Sequence, residues 1–216
     1  MQKCGISFVE YLPEVLDEVI ARDCYGIRSL PQAPDVVVDG GACFGAFSLF
    51  AWSLGVKRIL AYEPDPDAVE MFQANIKANP GSEERIIVEN RALAYIGPPN
   101  RKRLLVKAGV GHCRFDPAEA RFPVEVAGLP APTQMLERIS TFLKLDVEGA
   151  ERELFHPSNR ETLRRYDYIS MEWHNCDGAV YALVLGLLGF SVYLAGCDGA
   201  QWEPGMSGGI IRARKL

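Results

Sequence analysis

No apolar run in this 216-residue chain approaches the ~20 residues that a bilayer-spanning helix needs. The stretch around Leu183 to Leu188 is far shorter, so no membrane association is expected. Positive charge is not in excess either: 23 Lys plus Arg stand against 28 Asp plus Glu, for a net charge of −5. A chain that binds phosphate backbones is ordinarily basic, which makes nucleic acid a poor partner. Arg101-Lys102-Arg103 and Arg164-Arg165 are short basic clusters and read as solvated surface. The Asn/Asp-Pro-Pro-Tyr/Phe motif of enzymes that methylate base amino groups is absent. So is any CxxC pair: cysteines 4, 24, 43, 113, 176 and 197 are scattered, without paired ligand spacing. Glu10, Glu14, Asp17 and Glu18 are wrong for a secretory leader, so reduced thiols in a cytoplasmic protein are expected. There is no internal repeat and no low-complexity run.

What is there is enough for one globular domain, 48% hydrophobic and 24% charged. Short β-branched runs alternate with helical patterns, which predicts an α/β domain over residues 1–216 with a mostly parallel sheet. Residues 1–34 are expected to form an N-terminal helix and linker, the helix at 6 to 21 with Val9, Leu12, Leu16, Val19 and Ile20 on one face. Strands are expected at 35–39, 58–63, 85–89, 142–146, 168–173, 190–194 and 209–214, the last two as an antiparallel edge hairpin. Prolines 98, 99, 117, 123, 130 and 132 set apart residues 94–135, which read as an inserted hairpin and loop that carries specificity.

The first chemical signal is Val38-Asp39-Gly40-Gly41-Ala42-Cys43-Phe44-Gly45, between a buried strand and a helix. Open α/β sheets bind nucleotide-like ligands at such junctions. A dinucleotide fingerprint needs Gly at its first, third and sixth places, and Ala42 fills the third. A carboxylate at the strand end repels pyrophosphate and suits a cationic ligand. S-adenosylmethionine, which carries a sulfonium and an amino group but no phosphate, fits. Asp39, Gly40, Gly41 and Gly45 are thus candidate cofactor-binding residues. Glu63 ends the second strand, eighteen residues beyond Gly45, where an acid can accept from both ribose hydroxyls. Asn90 leaves the third strand, where its amide would read an adenine edge; a turn role is the competing reading.

The run Leu143-Lys-Leu-Asp146-Val-Glu148-Gly-Ala-Glu151 resembles the signature of the FkbM family of S-adenosylmethionine-dependent methyltransferases. The resemblance extends to Val38–Gly45, to Tyr62-Glu63-Pro64, and to Ile169-Ser-Met-Glu172-Trp-His174. Cys43 departs from it, since the family commonly has Asn there. The resemblance implies a Rossmann-like class I methyltransferase fold, a seven-stranded sheet with helices on both faces, and a cofactor over Asp39, Gly41, Gly45 and Glu63. It also implies O-methylation of a hydroxyl on a small metabolite, a glycan or a natural product.

Methyl transfer to oxygen needs alignment and a proton acceptor. Asp146, Glu148, Glu172 and His174 are the candidate catalytic residues, at the ends of the fourth and fifth strands. His174 is the first choice as base, from its ordinary pKa near 6.5. Asp146 is expected to position the cofactor's amino group or the acceptor hydroxyl. Asp146, Glu172 and His174 also make a divalent-metal trio, ranked below a metal-free site. The competing functions are an NAD-dependent oxidoreductase, which the failed glycine pattern opposes, and a non-catalytic Rossmann-like binding domain.

Overall fold

The computed structural model describes residues 1–95, 103–109, 112–115, 122–132, 139–174, 177–196, 201–204, 206 and 208–216. The central sheet takes strands β1 Val36–Gly40, β2 Arg58–Tyr62, β3 Ile86–Glu89, β4 Thr141–Leu145, β5 Tyr168–His174, β6 Phe190–Ala195 and β7 Gly208–Lys215. Their order across the sheet is β6-β7-β5-β4-β1-β2-β3. The pairs among β1 to β5 are parallel, while β7 runs antiparallel to both β5 and β6. The edge hairpin expected from sequence is therefore present, with β7 inserted between β6 and β5. The strand order reverses at β1, the switch point at which ligands lodge in such sheets.

The helices are α1 Pro13–Leu16, α2 Ala46–Ser53, α3 Pro66–Lys77, α4 Glu151–Leu154, α5 Arg160–Leu163 and α6 Gly178–Leu187. Val37 and Phe142 face one core, with Leu16, Ile20, Tyr25, Phe47, Phe50 and Phe72. Their neighbours Val38 and Leu143 face the other, with Leu154, Met171, Trp173, Leu185 and Ile211. This alternation is the pleat of a sheet covered on both faces. α3 starts cleanly because Pro66 fills its first turn and the Asp65 side chain accepts from Asp67 N.

The leading segment differs from the expected helix over 6–21. Gln2–Lys3 and Ile6–Ser7 pair as a tiny hairpin, and the helix runs only from Pro13, continuing as a π-turn over Asp17–Ala21. Pro13 disfavours helix in the residue before it, so the pattern could not extend further back. Val9 is accordingly exposed. The segment is latched instead by two buried amides: Asn75 Oδ1 accepts from Val9 N and Glu10 N, and Asn79 Oδ1 accepts from Ser7 N.

In the insert, Arg103–Gly109 pairs antiparallel with both His112–Phe115 and Phe122–Val124. Val126–Ala127 then pairs in parallel with Ala92–Leu93, closing the insert onto the exit of β3. Arg101 and Lys102 of the basic cluster lie outside the described residues, as do Cys176 and Cys197.

Candidate active site

The loop after β1 is shaped by two glycines that no other residue replaces. Gly41 has φ +74°, and a Cβ there would lie 1.7 Å from the Asp146 carbonyl oxygen. Gly45 has φ +87°, and its Cβ would lie 2.1 Å from the Phe72 ring. Between them Cys43 is left-handed at φ +50°, a conformation that Asn tolerates better than Cys. Burial and the neighbouring Glu63 charge push the Cys43 thiol up to about 12, so it is not a nucleophile at neutral pH. Gly40 contributes its carbonyl, which accepts from Asp146 N at 3.0 Å.

Beneath this loop lies a buried ion pair. Lys144, beside Asp39 in the β4–β1 register, puts Nζ 3.2 Å from Asp39 Oδ1. The same ammonium donates to the carbonyls of Gly40 at 3.2 Å and Gly41 at 2.6 Å. Ser48 Oγ donates to Asp39 Oδ2 at 2.7 Å. Asp39 is fully buried, so its carboxylate faces Lys144 and Ser48 and not the cleft. Burial alone would lower the Lys144 pKa, but Asp39 and Asp146 outweigh it and hold the side chain charged.

Glu63 is also buried, at 2% exposure. Its Oε2 accepts from Cys43 N at 2.7 Å and its Oε1 from Asp65 N at 2.9 Å. Each oxygen keeps a second lone pair, so the carboxylate ties the glycine loop to the start of α3 without exhausting its capacity as an acceptor. Burial raises its pKa to about 7, against the lowering effect of the two backbone donors. Asn90 is exposed, and its Nδ2 donates to the carbonyls of Glu63 and Pro64 at 2.9 and 3.1 Å. Its amide group thus braces the end of β2.

The second half of the site centres on His174. Its Nδ1 lies 3.3 Å from Glu151 Oε1, and its Nε2 lies 3.7 Å from both Glu148 Oε2 and Glu172 Oε1 and 4.0 Å from Asp146 Oδ1. The four candidate catalytic residues therefore converge. Glu151, fully buried, organises the turn by accepting from Val147 N at 2.9 Å and Gly149 N at 2.8 Å. Burial works against a charged His174, yet the Glu151 hydrogen bond and the charges of Glu151, Asp146 and Glu172 raise its pKa to about 9. This corrects the expectation of an imidazole near 6.5: at neutral pH it is a cation and a donor.

Asp146, Glu148 and His174 have ligand atoms within 4.8 Å of one another, a spacing that suits a divalent ion. Glu148 takes the position that sequence reasoning gave to Glu172 in that trio. The imidazolium supplies one positive charge among these carboxylates. Tyr25 was missed altogether: its hydroxyl donates to Asp146 Oδ2 at 3.0 Å across 121 residues of sequence. No motif marks it, because the contact exists only once the leading segment lies over β4.

The chain matches the family model of the methyltransferase FkbM domain over residues 39–182. The chain belongs to the FkbM methyltransferase family. No curated protein matches it closely in sequence. Among solved structures it resembles precorrin-6y C5,15-methyltransferase from Geobacter metallireducens, at 18% identity and a TM-score of 0.50, covering 98% of this chain and 94% of that one. It also resembles magnesium protoporphyrin IX methyltransferase from Synechocystis with bound S-adenosylmethionine, at 14% identity and a TM-score of 0.51, covering 94% and 79%. The methyltransferase domain of METTL16 aligns at 12% identity and a TM-score of 0.54, covering 99% and 74%. Family and fold together support an S-adenosylmethionine-dependent methyltransferase. The donor set agrees: carboxylates dominate the cleft, and Lys144 is buried and committed to Asp39, which leaves it unable to meet a pyrophosphate. Among the described residues, no helix is long and apolar enough to cross a membrane.

Proposed function

We propose that this FkbM-family protein transfers the methyl group of S-adenosylmethionine to a hydroxyl oxygen of a small metabolite, sugar or natural product. The observation that carries the reading is the convergence of Asp146, Glu148 and Glu172 on His174, next to the loop that packs Gly41 against Asp146. S-adenosylmethionine, when bound, supplies an electrophilic methyl group on a cationic sulfur. Glu63 accepts hydroxyls of its ribose, and the backbone of Gly40, Gly41 and Gly45 gives it room. Asp146 Oδ1, the oxygen that Tyr25 does not hold, receives its cationic methionine end.

The acceptor side belongs to Glu148, Glu172 and His174. His174 is an imidazolium at neutral pH, so it donates a hydrogen bond and orients the acceptor oxygen. The proton leaves to a carboxylate, and Glu148 and Glu172 are the two within 3.7 Å of Nε2. A carboxylate-rich cleft repels phosphorylated acceptors, which favours neutral polyols and aminated sugars and disfavours nucleic acid. The test is incubation with methyl-labelled S-adenosylmethionine and a panel of sugars, phenols and hydroxylated polyketides. A methyl ether, identified by mass and by the carbon shift of the new methyl, is the expected product. Methylation of nitrogen or carbon alone would overturn the assignment to oxygen.

A further inference from the structure

We infer that Tyr25 is a positioning residue that fixes Asp146 for the cofactor, held in place by Arg212 from strand β7. The inference rests on the methyltransferase reading above, but Tyr25 and Arg212 themselves lie outside the family match over 39–182.

The two oxygens of Asp146 have different surroundings. Oδ2 accepts from the Tyr25 hydroxyl at 3.0 Å and lies 3.8 Å from Lys144 Nζ. Oδ1 lies on the cleft side, 4.0 Å from His174 Nε2. Holding Oδ2 sets the carboxylate's rotation and leaves Oδ1 for a ligand. An aspartate at a strand end has free side-chain torsions, and a neutral donor on one oxygen restricts them without cancelling the charge.

Tyr25 has little freedom of its own. It is 4% exposed, packs edge-on against Phe47 with ring centroids 5.3 Å apart, and carries Lys144 Nζ 5.2 Å from its ring centre. Burial pushes its pKa well above 10, so the hydroxyl stays a donor.

The loop that presents Tyr25 is clamped from β7. Arg212 Nε donates to Cys24 O at 3.0 Å, and its Nη2 donates to Asp23 O at 3.0 Å and Cys24 O at 2.8 Å. Gly26, at φ +74°, lies directly over that guanidinium, and a Cβ there would come within 3.0 Å of Arg212 Cδ. Arg28 N closes the turn by donating to Asp23 Oδ2 at 3.1 Å. A continuous chain of contacts therefore runs from β7 through the leading segment to the end of β4.

The experiment is a double-mutant cycle read by calorimetric binding of S-adenosylmethionine to Tyr25→Phe, Asp146→Asn and the double variant. Phe keeps the ring and removes only the donor, so thermal unfolding should fall by no more than a few degrees. Tyr25→Phe should weaken binding about tenfold, the scale for a lost hydrogen bond to a charged group. In the Asp146→Asn background the same change should cost less than twofold. Arg212→Lys, which keeps the charge but breaks the fork, should weaken binding in the parent and not in Tyr25→Phe. Unchanged affinity in Tyr25→Phe, or losses that add in full, would overturn the inference. Glu63→Gln separates the two levels. If it weakens binding while Tyr25→Phe does not, the positioning role alone fails. A parent protein that binds no S-adenosylmethionine takes both down.

Discussion

The Lys144 ammonium lies 3.2 Å from Asp39 Oδ1 in the core of the protein, and the same group holds the carbonyls of Gly40 and Gly41. Two signature residues, far apart in sequence, thus meet under the loop that both flank. The pair is structural and electrostatic at once: it gives a buried carboxylate its counter-charge and props the glycine turn from below. Lys144→Met should therefore cost roughly 3–5 kcal/mol in urea unfolding, because it strands a buried charge. Adding Asp39→Asn to that variant should recover part of the loss. Equal destabilisation with and without Asp39→Asn would contradict the pairing.

Glu63 gives a stability signature with a defined sign. Its folded pKa, about 7, lies above the ordinary 4.5, so the folded state holds the extra proton between those values. Its contribution is complete below about pH 4.5 and is lost as pH rises through 7, a change on the order of 3 kcal/mol. Glu63→Gln should remove that slope from the pH–stability curve, measured by urea midpoints between pH 4.5 and 8. Parallel curves for parent and variant would contradict the burial of an ionisable acid there.

His174 tests the cluster separately. Its folded pKa is about 9 because of Glu151, Asp146 and Glu172. The stability it contributes is full below about 6.5 and disappears as pH rises through 9. Imidazole resonances followed by NMR should titrate near 9, and Glu151→Gln should move that midpoint towards 6.5. A midpoint near 6.5 in the parent protein would restore the imidazole as a neutral base.

The fold was legible because three of the central strands end in a chemical or conformational signal. Asp39-Gly40-Gly41, Glu63-Pro64 and Asp146-Val-Glu148-Gly149 all stand where a β-run meets a turn, and the β4 signature gave the family by resemblance. The convergence of Asp146, Glu148, Glu172 and His174 followed from parallel strand ends opening on one side. Three things were not legible. The burial of Asp39 depends on Lys144 arriving from β4, a cross-strand register that no local spacing reveals. The shift at His174 comes from carboxylates on two segments, and the ordinary value for a solvated imidazole carries no such information. Tyr25 reaches Asp146 from a loop that Arg212 of β7 clamps, a contact across the fold that no local spacing marks.

The metal question has its own answer in solution. If the site works without a metal, EDTA treatment should leave S-adenosylmethionine affinity within about twofold, and Mg²⁺ or Mn²⁺ should not raise the melting midpoint. A rise of several degrees with either ion would contradict the metal-free site and assign the ion to Asp146, Glu148 and His174.

The central claim is that the cleft beside Gly41 and Glu63 takes a cationic, phosphate-free adenosine cofactor. Thermal unfolding of the parent protein with S-adenosylmethionine, S-adenosylhomocysteine and NAD compares the alternatives directly, because a ligand that binds only the folded state raises the midpoint. The account predicts a clear rise with the first two and none with NAD. A rise with NAD alone, or with none of the three, would contradict it.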